Sequence, residues 1–121
     1  MNKTDYGHIT AELLTEAQRI ETAKRPSYTI GSDDVLANFK RVAAASGMEV
    51  DQCCLVYMLK HVDSICSLVS NPDQDDPEPE LGRYADLINY VKLLHAIRVE
   101  QQQQAPSNGK AKGEQHDRYS V

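Results

Sequence analysis

The spacing of apolar residues is the feature that most constrains this chain, because it follows the period of an α-helix in four separate segments. Apolar residues recur three and four positions apart over residues 10–24, about 34–46, 51–70 and about 79–100. No segment shows the strict alternation that is typical of a half-buried strand. The sequence therefore predicts an all-α fold, a bundle of three to four helices.

Residues with known capping and breaking preferences set the predicted helix ends. Thr10 is the predicted N-cap of the first helix, and Gly47 fits the position that ends the second. Asp51 opens the third helix, which the pair Asn71-Pro72 ends. The last helix is predicted to start near Pro79, after an acidic, proline-rich loop.

Each predicted helix carries an apolar stripe that should face the core. The stripe of the first helix is Leu13, Leu14, Ala17, Ile20 and Ala23. The stripe of the third helix is Leu55, Met58, Leu59, Val62, Ile65 and Val69. The stripe of the last helix is Leu81, Tyr84, Leu87, Ile88, Val91, Leu94 and Ile97.

The chain divides into one helical domain, residues 1–100, and a polar tail, residues 101–121. The tail begins with four glutamines and has almost no large apolar side chains, so ordering it would cost more entropy than its burial returns. We therefore expect it to be disordered. The helices are thin and would bury more surface against a second copy, which predicts a homo-oligomer.

Composition excludes several classes of protein. Three cysteines with no CxxC spacing, and four dispersed histidines, give neither a disulfide framework nor a zinc motif. A formal charge of −5 argues against binding to a long nucleic acid. No apolar run reaches the roughly 18 to 20 residues that a membrane span needs, and the N-terminus has no secretion signal. We expect no membrane partner and a cytoplasmic location.

Charged residues on two helices are the candidates for a functional site. Lys60 and Asp63 share a face of the third helix beside His61, while Arg83 and Asp86 lie three positions apart on the last helix. Each pair alone is most simply an intrahelical ion pair. An acid among apolar residues needs a partner, however, so Asp86 favours a binding site built between the helices.

A further set of residues between about 25 and 95 carries a family resemblance: Arg25, Tyr28, Gly31, Asn38 to Ala43, Met58, Lys60, Ala85 to Leu87 and Tyr90. Their order resembles the small, often phage-encoded members of the all-α, MazG-like nucleoside triphosphate pyrophosphohydrolase group. Such a protein would act on nucleotides in the cytoplasm of the phage host.

In that family an ExxE pair on one helix and an ExxxD pair on the next hold Mg²⁺, which bridges the triphosphate. The matching positions here are Lys60 with Asp63, and Gly82 with Asp86. The resemblance implies Mg²⁺ as the cofactor and Asp63 and Asp86 as its ligands. With half of the carboxylates replaced, the residues also favour direct binding of phosphate. The predicted nucleotide-binding residues are Tyr28, Lys60, His61, Arg83 and Asn89.

Three functions follow from these observations. The resemblance favours a magnesium-dependent pyrophosphohydrolase, whereas the number of carboxylates favours a protein that sequesters nucleotides or nucleotide signals without cutting them. Glu78 and Glu80 would complete a magnesium shell if their loop folded back, but a solvated acidic loop is the more typical interpretation. A structural adaptor is the third alternative, and it leaves Asp86 unexplained. No residue is assigned a catalytic role.

Overall fold

A computed structural model describes residues 1–29, 31–75 and 79–105 of the chain, except for the side chain of Tyr28. These residues form four helices and no strand: α1 (Lys3–Tyr28), α2 (Ala37–Ser46), α3 (Val50–Ser70) and α4 (Glu80–Gln104). The predicted all-α fold with up to four helices is confirmed for this part of the chain. Most of the predicted tail, residues 106–121, lies outside it.

Helix α1 is longer than the sequence predicted at both ends. Its N-cap is Asn2, whose Oδ1 accepts a hydrogen bond from the Asp5 backbone N–H at 2.8 Å. The predicted cap, Thr10, is therefore wrong, and its hydroxyl donates instead to the Tyr6 carbonyl one turn earlier, at 2.8 Å. At the other end the helix continues through Pro26.

The remaining boundaries lie close to their predicted positions. Gly47 ends α2 with φ +75°, a left-handed conformation that glycine adopts without strain, and its N–H bonds the Ala43 carbonyl. At the start of α3 the Gln52 side chain accepts a hydrogen bond from the Glu49 N–H at 3.3 Å. Helix α4 runs to Gln104, so the glutamines at the start of the predicted tail are helical.

Helix α4 is the centre of the fold, since it packs against both α1 and α3, while α2 packs on α3. The core lies where α2, α3 and α4 meet, and Phe39 is its largest fully buried side chain. Its ring makes edge-to-face contacts with Tyr57 and Tyr90, with centroids 5.8 and 6.2 Å apart. The buried members of the core are Leu36, Phe39, Ala43, Cys53, Cys54 and Ile97.

The predicted core stripe of α3 is largely wrong. Its fully buried residues are Cys53, Cys54 and Leu68, whereas four members of the predicted stripe are exposed: Leu55, Leu59, Val62 and Val69. The small thiols allow α3 to approach α4 closely, and the Cys54 Sγ lies 3.6 Å from the Tyr90 carbonyl oxygen. The helix therefore packs with its cysteine face inward and leaves larger aliphatic side chains outside.

Among the described helices, α3 is long and apolar enough to cross a membrane, judged by length and composition only. The sequence analysis did not anticipate this, because Lys60 and Asp63 interrupt the apolar run. The core helix of a helical bundle meets the same criterion. Such a core helix is mostly buried, whereas only 17% of the apolar window of α3 is buried in the described structure, Cys53 and Cys54 among its buried residues.

Ion pairs tie the helix ends together at one end of the bundle. Lys40 Nζ lies 2.6 Å from both Asp34 and Glu100, which joins α2 to the loop before it and to the end of α4. Arg98 bonds Asp51 at 2.8 Å and joins α4 to the start of α3. Hydrogen bonds from Lys40 and from the Leu36 backbone hold the pKa of Asp34 below its usual value.

The position of Phe39 gives a direct test of this packing. We predict that Phe39→Ala lowers the free energy of unfolding by about 3–5 kcal/mol, because it leaves a cavity among the core aromatics. Tyr6→Ala, an aromatic truncation at a position that is 61% exposed, should change it by less than about 0.5 kcal/mol. Urea unfolding of both variants measures the difference, and equal effects would contradict the described core.

Candidate functional site

A cleft of about 270 Å³ opens between α1 and α4, and we call it the α1–α4 cleft. Aliphatic and charged side chains share its lining, and Val35 adds to it from the loop before α2. The residues that line it are Ile20, Glu21, Lys24, Arg25, Val35, Asp86, Asn89, Tyr90, Lys92, Leu93 and Ala96. A cavity of this size and composition fits a small molecule with both apolar and charged parts.

Asp86 is the buried acid of this cleft. Its residue surface is 9% exposed, and Lys24 Nζ from α1 lies 3.3 Å from its Oδ1. A carboxylate loses hydration when it is buried and is stable there only with a charged or hydrogen-bonding partner. The prediction that Asp86 is buried and paired is therefore confirmed, and the partner comes from a helix 62 residues away in sequence.

Asn89 lies one turn after Asp86 and is 7% exposed. Its Nδ2 donates a hydrogen bond to the Ala17 carbonyl of α1 at 2.9 Å. Within the described part of the chain its Oδ1 is buried without a hydrogen-bond partner. An unsatisfied buried oxygen costs about 1–3 kcal/mol, and such a group is typical of a site that a water molecule or ligand completes.

Tyr90 connects the cleft to the core. Its ring stacks on Tyr57 with centroids 6.0 Å apart and contacts the His61 imidazole at 4.8 Å. The same residue lines the α1–α4 cleft beside Asp86. One wall of the cleft is therefore the outer surface of the aromatic core.

His61 lies in a strongly charged environment. Burial lowers its pKa from the ordinary value of 6.5. The charge of Asp86 raises this pKa, while Lys24, Lys60 and Arg83 lower it further. The imidazole therefore loses its proton more readily than a free histidine, and it senses the balance of charge around Asp86.

The fold places two of the predicted site residues in the cleft. These are Asp86 and Asn89, whereas Lys60, His61 and Arg83 are not part of its lining. The charges of Lys60, Arg83 and Asp86 all act on His61. Asp63 is exposed on α3, because a position two residues after His61 lies on the other side of a helix.

The structure describes the two remaining groups of candidates only in part. The backbone of Tyr28 belongs to the last turn of α1 rather than to a loop, and its side chain lies outside the described part. Of the acids proposed to complete a metal shell, Glu80 is exposed, and Glu78 is outside the described residues.

Sequence reasoning missed the contribution of α1. Glu21 pairs with Lys92 of α4 at 2.7 Å and with Arg25 at 3.5 Å, and Lys24 pairs with Asp86. The local signal was the spacing of Ala17, Glu21 and Lys24, which places them on one helix face. That spacing identifies a shared face but not the helix against which it packs.

Two further kinds of group are of interest in the described residues, metal-binding clusters and the buried thiol of Cys54. Over residues 1–29, 31–75 and 79–105, no three His, Cys, Asp or Glu side chains are grouped so as to hold a metal ion. Burial, and to a lesser extent the neighbouring Cys53, raises the pKa of the Cys54 thiol to about 11. Cys54 therefore remains a protonated core residue at neutral pH.

Comparisons with protein-family models, with curated proteins and with solved structures found no match to this chain. The site is therefore interpreted from its own residues.

The lowered pKa of His61 predicts a pH dependence of stability. The unfolded chain binds a proton near the ordinary pKa, while the folded chain binds it at lower pH. The contribution of His61 to stability is thus fully present above its pKa in the unfolded chain. It is lost as pH falls through its pKa in the folded chain. Between pH 7.5 and 5.5 the parent should lose more thermal stability than His61→Gln does, as measured by circular dichroism. Parallel losses would contradict this assignment.

Proposed function

We propose that the chain binds a small phosphorylated molecule of the nucleotide class in the α1–α4 cleft. The observation that carries the proposal is the set of cations in the lining: the side chains of Lys24, Arg25 and Lys92 are about half exposed around a partly aliphatic cavity. In a chain with a net charge of −5, such a local concentration of cations favours an anionic ligand. The aliphatic lining suits the less polar part of that ligand.

The acids of the cleft form ion pairs with its cations. Glu21 lies between Arg25 and Lys92, and Asp86 holds Lys24. An arriving phosphate would replace Glu21 as the partner of Arg25, whose contact with Glu21 is long at 3.5 Å. Arginine suits this exchange, because its planar group bonds phosphate oxygens in pairs. Asn89 also lines the cleft, and its buried Oδ1, which has no hydrogen-bond partner among the described residues, can accept a hydrogen bond from a donor on the ligand.

Binding without hydrolysis is the form of this function that the residues favour. Lys60 stands where the resemblance would have a metal-binding glutamate, and the charges of Lys60, Arg83 and Asp86 all act on His61. A protonated lysine cannot ligate a cation but can bond a phosphate directly. We therefore infer sequestration of a nucleotide or nucleotide signal, with MazG-like, magnesium-dependent pyrophosphate release as the rival. Lys60 is not part of the cleft lining, so its contact with phosphate stays a prediction from the sequence.

A calorimetric panel of nucleoside mono-, di- and triphosphates, each titrated with EDTA or with Mg²⁺, tests the proposal. We expect binding that persists in EDTA and no release of pyrophosphate. Arg25→Gln should weaken it about 10- to 150-fold, the equivalent of roughly 1.5–3 kcal/mol for a hydrogen bond to a charged group. Lys3→Ala is the matched control, because it removes an exposed cation of the first turn of α1 and should leave affinity unchanged.

Asp86→Asn is a second test, which concerns both sequestration and pyrophosphate release. It keeps the shape of the side chain but removes the charge that holds Lys24, and we expect it to abolish binding while the fold is retained. Binding of the parent only in the presence of Mg²⁺, together with pyrophosphate release, would favour the hydrolase. Binding by Asp86→Asn at parental affinity would place the ligand outside this cleft.

A further inference from the structure

Helix α3 carries a second apolar surface that the core does not use. We call it the α3 outer stripe: Leu55, Leu59, Val62, Cys66 and Val69. Three of its members are markedly exposed, Leu55 at 46%, Leu59 at 58% and Val69 at 70%. These side chains lie opposite Cys53, Cys54 and Leu68, which face the interior.

The α3 outer stripe has the spacing of a coiled-coil seam. Its members are separated by four, three, four and three positions. This repeat averages 3.5 residues and keeps apolar side chains aligned towards a second helix. The stripe spans about 21 Å along the helix at 1.5 Å per residue. It is thus shaped to pack against a helix of similar length.

The charges of α3 argue for a helix rather than a lipid as the occupant. The α3 outer stripe contains no charged residue, and α3 has Lys60 and Asp63 near its middle, both outside the stripe. A membrane-spanning α3 would place both charges near the centre of the bilayer, where charged side chains are strongly disfavoured. A partner helix covers the stripe and leaves Lys60 and Asp63 in water.

The sizes of the side chains point to a second copy of this chain. The first half of the α3 outer stripe contains leucines, Leu55 and Leu59, and the second half contains smaller residues, Val62, Cys66 and Val69. Antiparallel pairing places each larger side chain against a smaller one, so the two helices keep a constant separation. Parallel pairing would place leucine on leucine at one end and valine on valine at the other.

We propose that two copies of this chain dimerise through the α3 outer stripe, with the two α3 helices antiparallel. In this register Leu59 packs against the partner's Val62, and Leu55 packs against the partner's Cys66. The contact is isologous, because the same stripe serves both copies. It is also short compared with the interfaces of permanent complexes, so the dimer should dissociate on dilution.

The chain supplies its own probe for this geometry, since Cys66 is exposed while Cys53 and Cys54 are buried. Under mild oxidation Leu55→Cys should form a disulfide-linked dimer with the partner's Cys66. The parent should form none through Cys66 alone, because the antiparallel register separates the two Cys66 positions well beyond disulfide distance. Lys60→Cys, an exposed position on a different side of α3 from the stripe, is the matched control and should also remain uncrosslinked.

Sedimentation over a range of concentrations gives the independent readout. The parent should approach twice the mass of the 13.5 kDa chain as concentration rises, and Leu59→Asp should stay at the mass of one chain. Leu14→Asp, at a position of α1 that is 60% exposed, should behave as the parent does.

Several results would overturn the proposal. They are a parent that is monomeric at every concentration, a Cys66-to-Cys66 crosslink in the parent, absence of the Leu55→Cys crosslink, or co-sedimentation of the parent with neutral phosphatidylcholine vesicles. The α3 outer stripe does not line the α1–α4 cleft, so each of these results leaves nucleotide binding to be judged separately.

Discussion

The seating of α1 on α4 depends on polar groups that the two helices share. The Asn89 side chain donates a hydrogen bond to the Ala17 carbonyl, and Lys24 pairs with Asp86 a short distance away. Hydrogen bonds are directional, whereas apolar contacts are not, so these contacts fix the rotation of α1 about its own axis. Ala17 is 2% exposed, and its small side chain allows the two helices to lie close together at this point. The α1–α4 cleft is the space that remains between helices held in this orientation.

The sequence predicted the helices well and the inner face of one helix badly. Helical periodicity and Gly47 placed α2, α3 and α4 within a few residues of their bounds. For α3, the apolar stripe selected Leu55 and Leu59 as core residues, yet Cys53 and Cys54 face inward. Both faces of α3 are apolar, and a periodic pattern cannot indicate which of two apolar faces meets the neighbouring helix. Thr10 was wrong for a simpler reason: Asn2 caps the helix earlier, and α1 begins with an exposed segment, residues 3–9, that carries no apolar stripe.

For the candidate site, the sequence indicated single residues but not their partners. Asp86 was recognisable because an acid among apolar neighbours requires compensation, and it is buried as that argument required. Lys24 could not be found in the same way, since 62 residues separate it from Asp86 and no local pattern joins them. Asn89 was selected for its position after Asp86, whereas its bond to Ala17 depends on how α1 is seated. Single residues of such a site can thus be predicted from their neighbours in sequence. Their partners are known only once the helices are packed together.

Because Tyr90 belongs to both the core and the cleft, the two walls of the cleft differ in how freely their residues can be substituted. On the α4 side, Tyr90 is fixed by its contacts with Phe39, Tyr57 and His61, so replacing it would disturb the interior as well as the cleft. On the α1 side, Arg25 is about half exposed, and its ion pair is with Glu21 of the same helix. Ligand preference could therefore diverge through substitutions on α1 while the bundle stays intact. In evolutionary terms, α1 is the variable wall of this cleft and α4 the constant one.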